Sequence, residues 1–371
     1  MTIRGAYDID RGGLADLLAD QPSYRVAQVW RGLHTELRRP SQMTSLPLAV
    51  RDRLEQSLPP VLGELERSEA DDGQTVKWLC GLDGGARVET VLMHYRDRST
   101  VCVSSQAGCA MGCTFCATGQ GGFTRQLSAG EIIEQVVMAA REAAPRRLSN
   151  VVFMGMGEPL ANYDRLWTAV TRLHDDVGLS ARHLTISTVG VVPGIYRLAK
   201  EDLPVNLAVS LHAANDRLRD QLVPLNRRYP LSVLIEACRA YLVAKGRRLS
   251  FEWALIDGVN DRPADIAQLA ELTRPLGAHV NLIPLNPTPG YPVRGTAPAR
   301  VSSFRDDLVA AGVNATVRRN RGTDIEAACG QLASRSPSGD GQPVSLRARD
   351  DPARSGQVAQ DRRPAPATLE P

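Results

Sequence analysis

At 371 residues the chain suits one large domain with appendages, or two domains, and is ample for a buried core. With 43% hydrophobic and 23% charged residues it has the make-up of a soluble globular enzyme, not of a fibrous or disordered chain. The net charge of +3 is too small to define a partner, and an odd count of seven cysteines predicts reduced thiols in the cytoplasm, not a disulfide scaffold.

The charged start "MTIRGAYDIDRGG" is expected to be neither a signal peptide nor an anchor, and no apolar run reaches bilayer length, so no membrane partner is expected. Residues 1–70 are expected to form a small helical accessory domain. "RVAQVWRGLHTEL" places Val26, Val29, Trp30 and Leu33 on one helical face. Residues 71–99 read as a connecting hairpin, in which "TVKWLCGL" and "ARVETVLMHY" alternate across a "DGG" turn.

From 100 to 333 the pattern changes. β-rich runs recur at 100–105, 150–157, 183–190, 205–212, 248–258, 279–286 and 314–319, most of them separated by helical segments. One such segment is "SAGEIIEQVVMAAREAA", where Ser128 and Glu131 fit a capping box, and another is "DIAQLAELTRPLG". The alternation predicts an α/β fold with a parallel sheet and helical crossovers. Too few residues remain for eight repeats, so the expectation is a partial (β/α)6 barrel. Polar or glycine-containing punctuation follows nearly every run, at the sheet edge where such folds build active sites. Residues 334–371, rich in Pro, Ser, Gly and mixed charge, read as a disordered tail.

The densest chemistry lies in "CVSSQAGCAMGCTFCATG". Cys109, Cys113 and Cys116 form a C-x3-C-x2-C run, with Cys102 seven residues upstream. A structural zinc would call for four ligands, usually in two C-x2-C knuckles, yet Cys80, Cys238 and Cys329 stand isolated. Three thiolates on a loop at a barrel mouth suit an iron–sulfur cluster with one iron left open. Arginine pairs at 38–39, 146–147, 227–228 and 247–248, with "RRNR" at 318–321, suit phosphate contacts or simply solvated faces.

"CAMGCTFC" resembles the signature of the radical S-adenosylmethionine superfamily. Together with "GMGEPL", "STVGVVPGI", "SLHA", "LIPLNP" and "RGTDIEAACGQLA", the match over roughly 15–333 is similar to one family within it. Those are the methyltransferases that modify carbon 2 of adenosine in the peptidyl transferase centre of 23S ribosomal RNA and 3′ to the anticodon in tRNA. The resemblance implies one [4Fe–4S] cluster on Cys109, Cys113 and Cys116, its fourth iron chelated by S-adenosylmethionine, and two such cofactor molecules per turnover. It implies that Cys329 carries a methyl group from which a radical is made, that this radical joins the adenine, and that Cys102 resolves the adduct with formation of a Cys102–Cys329 disulfide. It implies Glu89 as the base that takes the proton from carbon 2. Gly157, Glu158, Ser187, Ser210, Leu211, His212 and Asn286 then contact the cofactor.

Read without the family, each residue has a plainer role: Cys329 a packed small side chain, Glu89 a solvent-facing strand residue, His212 a structural histidine, Ser187 and Ser210 strand-end hydroxyls, and Asn286 a turn former. Cys80 and Cys238 are expected in the core. The resemblance further implies RNA substrates with an unstacked target base, RNA binding by residues 1–70, a reduced flavodoxin-type electron donor, and a cytoplasmic enzyme; a monomer is the default. Two alternatives stand beside it: the sister activity that methylates carbon 8 of the same ribosomal adenosine, and a non-catalytic iron–sulfur or zinc RNA-binding module.

Overall fold

Alternating apolar runs and capped amphipathic helices sort this chain into a sheet with helices packed along it. The structure is a computed structural model that describes residues 5–247, 249–286, 288, 291, 293–318, 321–328 and 330–333. Cys329 and the segment 334–371, read above as a tail, lie outside the described residues.

Three helices come first: α1 (Arg11–Leu17), α2 (Tyr24–His34) and α3 (Leu48–Ser57). The expected face of α2 packs inward, with Val29, Trp30 and Leu33 buried and Val26 partly so. The Trp30 indole N–H donates to Asp176 Oδ1 at 2.8 Å, which fastens this helix to the far end of a barrel helix.

Strands β1 (Gly63–Ala70), β2 (Thr75–Gly81), β3 (Arg87–His94) and β4 (Ser99–Cys102) pair antiparallel in that order. The expected hairpin is β2–β3. Strand β1 falls in the stretch read as helical: "GELERSEA" is exposed along most of its length, so it has no buried face to produce an apolar alternation.

Beyond β4 every expected β-rich run becomes a strand: β7 (Leu148–Phe153), β8 (Leu184–Thr188), β9 (Asn206–Ser210), β10 (Leu249–Leu255), β11 (His279–Pro284) and β12 (Asn314–Val317). They continue the sheet from β4 in chain order, all parallel and unclosed. The crossovers are α5 (Ala129–Ala143), α6 (Tyr163–Asp175), α7 (Val192–Lys200), α8 (Asp216–Leu222) with α9 (Leu231–Lys245), α10 (Pro263–Thr273) and α11 (Pro298–Ala310). This is a partial (β/α)6 barrel with a final strand. Phe153, Ile186, Leu207, Phe251 and Val280 are wholly buried in it, each contributing about 1.5–3 kcal/mol of hydrophobic stabilisation. Cys80 and Cys238 are also wholly buried in this core.

The capping box predicted for α5 forms. Ser128 Oγ accepts the Glu131 N–H at 3.1 Å, and Glu131 Oε2 accepts the Ser128 N–H at 2.8 Å. Between β4 and α5 a two-stranded ladder, β5 (Gln106–Gly108) with β6 (Phe123–Gln126), closes the base of the cysteine loop. Among the described residues no helix is long and apolar enough to cross a membrane.

Candidate active site

The strand ends after β4, β7, β8, β9, β10, β11 and β12 meet at one cleft. Cys109, Cys113 and Cys116 form one side of it, and Gly157, Glu158, Ser187, Ser210, His212 and Asn286 lie on its walls.

The loop holding the thiols is shaped by backbone. Gly108 has φ +73, and a Cβ there would sit 2.1 Å from the Gly122 carbonyl oxygen, which also accepts the Cys109 N–H at 2.7 Å. Directly after Cys116 comes the short α4 (Ala117–Gln120). Burial pushes the Cys109 thiol up to about 12 and moves Cys113 in the same direction.

The opposite wall is pinned. Gly157, with φ +97, lets the chain pass Gln106, whose Cβ would lie 2.5 Å from any side chain at 157. The Glu158 N–H then donates to Gln106 Oε1 at 2.7 Å. The Glu158 carboxylate accepts the N–H groups of Leu160 at 3.0 Å and Val189 at 2.9 Å, and burial pushes it up to about 7. The Ser187 hydroxyl donates to the Phe153 carbonyl at 2.6 Å, which leaves its oxygen lone pairs available as acceptors.

His212 has φ +59 and sits edge-on to Phe115, with ring centroids 4.6 Å apart. Its Nδ1 accepts the Ala254 N–H at 3.0 Å, and burial pulls the imidazole down to about 3. The ring is therefore neutral with its proton on Nε2. Leu211 is placed differently: its side chain is wholly buried in the main core and does not line the cleft.

Glu89 and Cys102 come together through register. Val91 pairs with both Cys102 and Lys77, so Lys77, Glu89 and Cys102 share one face of the sheet. Thr90 points the other way, donating to Gln135 of α5 at 2.9 Å. Both Glu89 and Cys102 are buried. Glu89 Oε1 lies 3.2 Å from Lys77 Nζ, and Oε2 accepts the Ala333 N–H at 2.8 Å.

Residues 103–270 match the Radical SAM superfamily model. The chain is 51% identical over 353 residues to the probable dual-specificity RNA methyltransferase RlmN of Chloroflexus aurantiacus, covering 90% of this chain and 94% of that one. The corresponding protein of Parafrankia sp. is 52% identical over 354 residues, covering 87% of this chain and 92% of its own. A crystal structure of a radical SAM methyltransferase from Sphaerobacter thermophilus superposes with a TM-score of 0.86 at 50% identity, covering 89% of this chain and 99% of that one.

The chain belongs to the RlmN family of radical SAM methyltransferases.

That family implies a [4Fe–4S] cluster and S-adenosylmethionine, and the residues fit both. Cys109, Cys113 and Cys116 line one cleft. A structural zinc takes four protein ligands, whereas three thiolates suit a cluster whose fourth iron is left to a cofactor. Iron would drive the protons off these buried thiols on assembly. Facing them across the cleft, the Glu158 carboxylate, hydroxyl oxygens and Asn286 suit a cationic, amino-acid-bearing cofactor.

Further residues complete the walls, of which the sequence marked only Arg318, as part of a basic run. Glu252 and Arg318 line the cleft, and Glu252 is held by Ser250 at 3.0 Å and Asn281 at 2.8 Å. Behind the wall, buried Arg219 donates to the carbonyls of Val189 at 2.7 Å, Ser210 at 3.2 Å and Leu211 at 3.1 Å, and to Asn226 at 2.8 Å. In "DRLRDQL" it looks like any helix-surface arginine; only the topology reveals it as a staple between β8 and β9.

Proposed function

We propose that this chain methylates carbon 2 of adenosine in 23S ribosomal RNA and in tRNA, in the cytoplasm and as a monomer, drawing electrons from a reduced flavodoxin-type donor. The observation that carries the reading is the convergence of the three cysteines, Glu158 and Asn286 on one cleft. Relatives about half identical over nine-tenths of the chain bear the name dual-specificity RNA methyltransferase. Carbon 2 of adenine is electron-poor and not nucleophilic, so polar displacement on a sulfonium methyl cannot serve it. Cys109, Cys113 and Cys116 hold the cluster, and two molecules of S-adenosylmethionine per turnover supply a methyl group and the one-electron chemistry that activates it.

The chain's own residues do the rest. Glu158 and the carbonyl of Gly157 receive the cofactor's ammonium; Ser187, Ser210, His212 through its Nε2–H, and Asn286 orient the remainder, and Leu211 contributes backbone only. Cys329 carries the methyl as a thioether. Glu89, fixed by Lys77, takes the proton from carbon 2 of the thioether-linked adduct. The Cys102 thiolate then attacks the Cys329 sulfur; the bond from that sulfur to the methylene carbon breaks, the carbon keeps the electron pair and takes up a proton to become the methyl, and the two sulfurs are left as a disulfide. The arginine pairs and the N-terminal helices grip phosphates.

A Cys102→Ala variant tests this assignment. It is expected to methylate Cys329 normally and to accumulate a covalent protein–RNA adduct visible on denaturing gels. An enzyme that turns over normally without Cys102 would refute the assignment.

A further inference from the structure

The described residues after β12 bond back to the rest of the molecule at a few specific points. Upstream, the Gly322 N–H donates to Asp71 Oδ2 at 3.2 Å, and the Ala327 N–H donates to the Gly322 carbonyl at 2.8 Å. Downstream, the Gly330 carbonyl accepts the Ala117 N–H at 2.9 Å, and the Leu332 carbonyl accepts the Thr118 hydroxyl. The Ala333 N–H ends on Glu89 Oε2 at 2.8 Å.

Two of these partners, Ala117 and Thr118, follow Cys116 directly in the chain. The downstream contacts begin at Gly330 and tie residues 330–333 to the loop of the third cysteine. Only one of the loop's two donors is a side chain. Thr118 is 4% exposed, lines the cleft beside Gly330, and is β-branched, which stiffens the torsion that aims its hydroxyl.

We propose that Thr118 is a positioning residue for the thiol at 329: its hydroxyl, with the Ala117 N–H and the Glu89 carboxylate, clamps residues 330–333 against the cysteine loop. This rests on the reading of Cys329 as methyl carrier. Glu89 thereby has a second task, holding the arm on which its reaction partner is carried. A threonine that merely packs would give the same burial, so the test must separate aim from fold.

The comparison is between the full-length wild type, Thr118→Val and Thr118→Ser. Amide exchange of residues 330–333 is followed by mass spectrometry in cluster-free protein, and RNA methylation is followed in cluster-loaded protein. Losing one buried hydrogen bond is worth about tenfold in a local equilibrium. Thr118→Val is expected to raise exchange there about tenfold and to slow RNA methylation about tenfold, with unchanged melting temperature and iron content. Thr118→Ser is expected to restore both.

Unchanged exchange and rate in Thr118→Val would overturn the clamp. So would a rate loss that tracks lost iron or a lowered melting temperature, or one that serine fails to rescue. Increased exchange in a chain whose wild type methylates no RNA would instead sink the proposed activity while leaving the clamp in place.

Discussion

The two sides of the cleft are built by different means. The strand-end wall is held from behind by wholly buried groups: Arg219 collects three carbonyls and Asn226, and Asn260 donates to the carbonyls of His212 at 2.8 Å and Ala254 at 2.7 Å. Among the described residues of 321–328 and 330–333 none lies in a strand, and they bond to Asp71, Ala117, Thr118 and Glu89. A binding wall gains from being fixed before its ligand arrives, because no ordering cost then falls on binding. An arm that must carry a group, deliver it and leave needs contacts weak enough to break.

That contrast can be broken most severely at the cysteine loop. Cys113→Ala is expected to lower bound iron and reduce RNA methylation to background, measured by iron assay and labelled-methyl incorporation. Retained iron with full activity would remove the loop from the chemistry.

The wall comes next. Arg219→Leu would strand three backbone carbonyls and the Asn226 oxygen in a buried setting. A loss of about 3 kcal/mol in urea unfolding is expected. A loss below about 1 kcal/mol would mean that the wall does not depend on its staple.

A smaller effect is expected where α5 holds the entry to β1, outside both sides of the cleft. Glu134 accepts the N–H groups of Val61 at 3.1 Å and Leu62 at 3.5 Å, and burial pushes its carboxyl up to about 7. A carboxyl with a higher affinity for protons when folded gives its greatest stability below the unfolded value near 4.5, and loses it as pH rises through 7. Glu134→Gln should therefore flatten that fall, gaining about 2 kcal/mol over wild type at pH 8 and little at pH 4. Parallel urea curves at both pH values would argue against it.

The smallest effect sharpens the contrast by sparing the site. Ser128→Ala removes the α5 cap and should cost about 1 kcal/mol without changing methylation. Activity falling in proportion would show that the barrel helix and the cleft are not separable.

Much of this was legible in the sequence because it rests on local pattern. The seven β-rich runs became the parallel strands since most are apolar and nearly all end in polar or glycine punctuation, and the cysteine spacing marked the loop unaided. What escaped notice depends on partners distant in sequence. Strand β1 is a mostly exposed edge with no apolar face. Lys77, Arg219 and Glu252 carry no sequence signal of their own, and Arg318 is marked only as part of a basic run; their places depend on the folded sheet. Leu211 sits inside a legible motif, yet strand alternation turns its side chain to the core and leaves Ser210 and His212 at the cleft. Thr118 carries no signal in the sequence, because its partner Leu332 lies more than 200 positions away.

The central claim is a methyl group carried on the chain and delivered to an adenine carbon. Anaerobic incubation with methyl-labelled S-adenosylmethionine, reductant and RNA, followed by mass mapping of the nucleosides, tests it directly. The account predicts label at carbon 2 of adenosine with the wild type and none with Cys329→Ala. Label at carbon 8, or label at carbon 2 that persists in Cys329→Ala, would contradict it.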